Sequence, residues 1–212
     1  AWTYEAIWCP FADFFRRYGG SALLILGLIA CYRISDVVMG VMSNSFYVDL
    51  QFSKTEVATI TKVYGVIMTL VGAALGGVLV MRFGTLRILF LGAVLTASTN
   101  LLFALLNEVG HDLELLTLII SLDNLSAGIA TAAFVTYLSS LTNVAFSATQ
   151  YALFSSIMLL MPKLLAGFSG QVVEQIGYSS FFVGTSLLGI PVMILIIMVA
   201  KRGDALLPQA DK

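Results

Sequence analysis

The chain has 212 residues, 59% of them hydrophobic and 11% charged, with a formal net charge of −1 and a mean hydropathy of +0.96. A soluble domain carries about 25% charged residues, and disorder needs low hydrophobicity with high net charge, so both classes are excluded. The near-zero charge gives nucleic acid no basic footprint, and Cys9, Cys31 and His111 make neither a disulfide framework nor a metal-ligand cluster. What remains is an all-α membrane protein, with room for about six spans of roughly 20 residues.

The chain begins Ala1-Trp2-Thr3, which reads as a piece of a longer protein. In residues 1–19, Tyr4, Trp8, Phe11, Phe15 and Tyr18 recur at helical spacing, with Arg16 and Arg17 near the end. That pattern predicts an amphipathic interfacial helix or linker, broken or kinked by Pro10. A buried seventh segment, or a helix packed on another domain, is the alternative. A six-helix bundle is predicted over 20–200, with a tail at 201–212.

The six spans are expected near 20–42, 54–81, 86–106, 113–138, 148–171 and 180–200. Ser53-Lys54-Thr55-Glu56 is a capping box opening the second. Gly72 and Gly76 form a Gly-x-x-x-Gly spacing that permits close helix packing. Pro162 and Pro191 are expected to kink their spans. Loop charge sorts by side. Arg16, Arg17, Arg82, Arg87, Lys201 and Arg202 fall on one side; Asp49, Glu56, Glu108, Asp112, Glu114 and Glu174 fall on the other, with Lys54. The basic side is read as cytoplasmic, which places both ends of the segment there.

Five ionisable residues lie well inside predicted spans, away from their ends: Arg33, Asp36, Lys62, Asp123 and Lys163. Each costs about 2.5–3.5 kcal/mol at a helix centre on insertion scales, so a partner or a wet cavity is expected. They fall on the first, second, fourth and fifth spans. The third and sixth carry none and are expected to be able to face lipid throughout. Helical spacing predicts polar stripes through Arg33, Asp36, Gly40 and Asn44; through Thr55, Thr59, Lys62 and Thr69; through Asp123, Ala127, Ala130, Phe134 and Tyr137; and through Ala152, Ser156, Leu159 and Lys163. Asn124 adjoins the third stripe. Three cations and two carboxylates leave a net +1 that favours an anionic ligand. Arg33, Lys62, Asp123, Asn124 and Lys163 are the candidate substrate-binding residues. Asp36 and Asp123 are the candidate proton-coupling carboxylates. Arg33 and Asp36, three apart, also admit a purely structural pairing. No catalytic constellation, metal site or cofactor is expected, since His111 sits in a loop among acids and has no second histidine or cysteine nearby.

Six spans with charges on the first, second, fourth and fifth resemble one half of a major facilitator transporter. The turn from Gly76 through Arg82-Phe83-Gly84 to Arg87 is similar to that superfamily's loop after the second helix of a half, although Met81 stands where an acidic residue is expected. Arg33-Ile34-Ser35-Asp36 running into Ser45-Phe46-Tyr47-Val48-Asp49-Leu50, the stretch Gly128 to Leu141, and Phe146 to Ser156 resemble the AmpG muropeptide permeases, relatives of the acetyl-coenzyme A transporters. The resemblance implies the C-terminal six-helix half of a proton-driven bacterial inner-membrane permease that imports anhydromuropeptides for peptidoglycan recycling. Its partners would be the muropeptide, protons, membrane lipid and an N-terminal six-helix half. The competing readings are a half-transporter for acetyl-coenzyme A or another anionic solute, and a six-helix scaffold or channel that dimerises.

Overall fold

A computed structural model describes residues 9–143 and 146–203, and among these every regular element is helical. Tyr4 and Trp8 of the predicted N-terminal stripe and most of the predicted tail lie outside the described residues. Helix α1 spans Cys9–Tyr18, α2 Ala22–Cys31 and α3 Ile34–Asp49. The short α4 (Lys54–Val57) runs through a π-helical segment, Ala58–Tyr64, into α5 (Gly65–Phe83). Then follow α6 (Thr85–Val109), α7 (Leu113–Leu141), α8 (Ser147–Ala166), α9 (Ser169–Leu187) and α10 (Gly189–Gly203).

Five helical stretches are long and apolar enough to cross a membrane. Hydrogen bonds reveal six passes among the described residues, because α9 contains a reversal. Ser169 donates to Val38 O, Tyr178 to Asp49, and Ser35 to Thr185 O. The chain therefore climbs along α3 as far as Asp49 and then descends. The turn falls at Gly177, whose φ of 76° is left-handed and strains any L side chain. The fifth pass is α8 with the start of α9, and the sixth runs from Tyr178 through α10. Pro191 lacks the N–H that would bond the Leu187 carbonyl, and the helical path of the sixth pass is interrupted at Leu188, as expected of a proline inside the span. Pro162 is buried within α8, which runs on to Ala166.

The predicted capping box is present. The Ser53 side chain accepts from Glu56 N at 3.2 Å, and Ser53 N donates to the Glu56 carboxylate at 2.8 Å. The first pass extends to Asp49 rather than ending near 42, so Asp36 lies about 20 Å below that end at 1.5 Å per residue, deeper than the sequence boundaries imply.

Pro10 is buried at the start of the described part of α1, and the residues before Cys9 that would test the predicted break lie outside the described ones. The helix docks on the junction of α7 and α8. Phe14 is buried against Phe154, with ring centroids 5.1 Å apart. Buried Gln150 donates to Pro10 O and to Asp13, both at 3.0 Å, and accepts from Arg17 at 3.1 Å. At the other end of the bundle Tyr178 binds Asp49, Ser179 binds Glu108, and His111 contacts Leu50 O. The acidic loop residues Asp49 and Glu108 therefore share one end, while Arg17 marks the opposite one.

Two apolar clusters fill the bundle. One holds Leu28, Ile29, Tyr32, Leu89, Ala133, Phe134, Val192 and Ile196. The other holds Ile34, Met39, Phe46, Phe103, Leu116, Ile119, Phe181 and Phe182. The division falls between Tyr32 and Ile34 on the first pass, Ala93 and Phe103 on the third, Ile120 and Ile129 on the fourth, and Phe182 and Val192 on the sixth. A polar layer lies at that seam.

Candidate functional site

The first pass is broken where its charges lie. α2 stops at Cys31, Arg33 has φ −97° and ψ 7°, and α3 restarts at Ile34. No proline or glycine marks this turn. Tyr32 is instead held from outside: its hydroxyl donates to Leu89 O at 3.1 Å, and its ring stacks on Phe134 at 4.4 Å. Arg33 pairs with Asp36 on the first turn of α3, and the two side chains are 27% and 26% exposed. A small cavity opens beside them, lined also by Thr96, Ala127, Phe134 and Gly189. The discontinuity places backbone groups and a charged pair at one cavity wall, as irregular backbone at membrane depth requires.

Asp123 stands on α7. Its carboxylate receives the Thr99 hydroxyl at 2.9 Å and lies within electrostatic reach of Asp36. Arg33 and Asp36 thus line the cavity, and Asp123 lies within electrostatic reach of Asp36 without touching the pair. The third and sixth passes do not face lipid throughout, contrary to the expectation from charge alone. Thr99 and Asn100 on α6 and Thr185 on α9 are buried. Asn100 donates to the Ser35 hydroxyl at 2.9 Å and to Thr185 at 3.3 Å, and Ser186 donates to Ala97 O at 2.6 Å. The adjacent Thr99-Asn100 pair inside an apolar run was the readable signal. Neither residue is ionisable, so the charge pattern alone does not reveal it.

Lys62, Lys163 and Asn124 stand apart from that cluster. Lys62 is exposed and lies in the π-helical segment, whose i→i+5 bonds shift the helical register. The predicted stripe from Thr55 to Thr69 is consequently not one face. Thr69 bonds Asn124 at 2.9 Å in the α5–α7 interface, whereas Lys62 is exposed. Asn124 is committed to that interface, since its amide also donates to Ile120 O at 2.9 Å. Lys163 is exposed in a shallow groove with Ser156 and Leu159, which keeps the predicted α8 stripe together. Neither lysine forms an ion pair among the described residues.

Gly72, Gly76 and Gly128 join α5 to α7. A Cβ on Gly72 would lie 2.2 Å from Leu125 O, one on Gly76 2.8 Å from Ile129 Cα, and one on Gly128 2.3 Å from Thr69 O. The Gly-x-x-x-Gly spacing is therefore a packing device. Gly77, beside it, meets nothing within 4 Å.

Six helical passes around a polar seam, with a broken first helix, define one half of a membrane transporter. Residues 11–211 match the profile of the Major Facilitator Superfamily, and the chain belongs to that superfamily. It is similar to the Rickettsia felis protein named putative transporter AmpG 4, with 33% identity over 202 residues, which cover 95% of this chain and 48% of that protein. It is also similar to the anhydromuropeptide permease of Escherichia coli, with 32% identity over 195 residues, covering 92% and 39% respectively. The chain spans about half or less of the length of these curated relatives.

Proposed function

We propose that this chain is the C-terminal half of a proton-driven permease that carries anhydromuropeptides across a bacterial inner membrane for peptidoglycan recycling, with both of its ends cytoplasmic. The likeness to the Escherichia coli anhydromuropeptide permease supports the substrate class. The observation that carries the reading is the pair of exposed lysines without an ion-pair partner among the described residues, Lys62 on a helix long and apolar enough to cross a membrane and Lys163 on α8, which packs beside the first pass. Facing acyl chains, each would cost about 2.5–3.5 kcal/mol. Facing a wet space against an N-terminal half, both are solvated and free to hold the peptide carboxylates of a muropeptide. Arg33 and Asp36 form the charged wall at the depth of the seam, with Asp123 within electrostatic reach of it, and one of the two carboxylates carries the coupled proton.

The test is uptake into proteoliposomes of the full-length protein under an imposed proton gradient, with a labelled N-acetylglucosaminyl-anhydromuramyl peptide as probe and acetyl-coenzyme A as competitor. Uptake should resist acetyl-coenzyme A. Lys62→Ala and Lys163→Ala should each lower it about tenfold with membrane expression held, the loss of one charge-assisted bond to substrate. Uptake of acetyl-coenzyme A alone would replace the substrate, and normal muropeptide uptake by both variants would remove the lysines from the site.

A further inference from the structure

The Thr99 hydroxyl has two acceptors within reach, Asp123 Oδ1 at 2.9 Å and Thr96 O at 3.0 Å. It has one proton and donates to one of them at a time. With Asp123 ionised, the hydroxyl donates to the carboxylate. With Asp123 protonated, the new carboxyl O–H donates to Thr99 Oγ1, and the Thr99 proton turns to Thr96 O. One proton arrives at Asp123 and no other covalent bond is broken. Thr99 is 4% exposed, so water does not readily substitute for it. Asp36, the other carboxylate, is already held by the Arg33 guanidinium.

The charged and titratable groups that face Asp123 are Asp36, with its partner Arg33, at the break of the first pass, and Tyr47 on α3. From α6 it meets the Thr99 hydroxyl, and no cation lies within ion-pair distance of it among the described residues. We infer that Thr99 is a positioning residue whose hydroxyl reverses with the protonation of Asp123, and that Asp123 rather than Asp36 carries the coupled proton. This rests on the proton coupling proposed above and names the group that performs it. Thr96 lines the cavity beside Arg33, so the reversal carries the protonation state of α7 to the cavity wall through α6.

Infrared difference spectroscopy of the full-length protein in lipid, recorded against pH without substrate, tests this. A protonated-carboxyl C=O band should vanish in Asp123→Asn and persist in Asp36→Asn. In Thr99→Val the band should move to a less hydrogen-bonded frequency, and its midpoint should rise by about one pH unit at most, because the ionised form loses a stronger hydrogen bond than the protonated form does. Thr99→Ser should restore both, and Thr99→Ala gives the same reading if the valine variant fails to reach the membrane. A band that survives Asp123→Asn, or that is unmoved by loss of the Thr99 hydroxyl, overturns the inference. Because no substrate is present, failure of muropeptide uptake would sink the proposed function and leave this result standing.

Discussion

Gly72→Leu and Gly128→Leu should each prevent stable assembly of the bundle, whereas Gly77→Leu should be tolerated. At Gly72 the first added carbon falls 2.2 Å from the Leu125 carbonyl oxygen, and at Gly128 it falls 2.3 Å from Thr69 O and 2.7 Å from Ala73 N. All of these neighbours are backbone, so no side chain can rotate away, and α5 and α7 must separate. Separation also breaks the Thr69–Asn124 bond at the same level. Overpacking typically costs about 1–3 kcal/mol, and a clash between two rigid helices belongs at or above the top of that range. Gly77 lies five residues beyond Gly72 on α5 and meets nothing within 4 Å, so it controls for helix propensity and hydrophobicity. Thermal unfolding of the full-length protein in detergent, followed by monodispersity, separates the two cases. Equal stability of the Gly72 and Gly77 variants would contradict the close approach.

Arg33→Ala should abolish uptake and lower expression, and Asp36→Asn on top of it should recover expression without uptake. Removing the guanidinium leaves Asp36 without its cation and within reach of a second carboxylate, Asp123. Breaking a fully buried pair costs about 3–5 kcal/mol. Here both partners are about a quarter exposed, so screening reduces this to about 1–3 kcal/mol. Neutralising Asp36 removes the orphaned charge and with it most of that penalty. A double-mutant cycle on thermal stability should show coupling of about 1 kcal/mol between the two sites. Additive losses would mean that the pair is incidental.

What could be read from the sequence was what neighbouring residues decide. The Ser53–Glu56 box, the glycines of α5, and the Arg33–Asp36 pair are all contained within four or five residues of chain, and each appears in the structure. The passes followed from hydropathy, and Gly177, which lies in the gap between the fifth and sixth predicted spans, sets the turn there. Features that depend on a distant partner were hidden. The break at Tyr32–Arg33 has no local breaker and follows from Leu89 and Phe134, more than fifty residues away. The π-helical segment around Lys62 altered a stripe that assumed a regular 3.6-residue period. Asn124 looked available beside Asp123, yet Thr69 occupies its carbonyl. Thr99, Asn100 and Thr185 carry no charge, so the charge pattern leaves the third and sixth passes blank, although both reach the seam.

The placement of uncharged polar groups also explains why the layer holds together. Asn100 links the third pass to Ser35 on the first and to Thr185 on the sixth, so three helices are fixed to one another at the depth of the charged pair. The Arg33–Asp36 pair thus sits on a braced wall, while Lys62 and Lys163 extend from neighbouring helices that the seam does not tie down.

Solvent access at the two lysines tests most directly whether the exposed face borders water. Lys62→Cys and Lys163→Cys, placed singly in full-length protein with Cys9 and Cys31 replaced by alanine, should react with a membrane-impermeant charged thiol reagent, and an anhydromuropeptide should slow the reaction. Thiols at both positions that ignore the charged reagent and react only with a lipid-soluble maleimide would place the lysines against acyl chains and contradict the transport site.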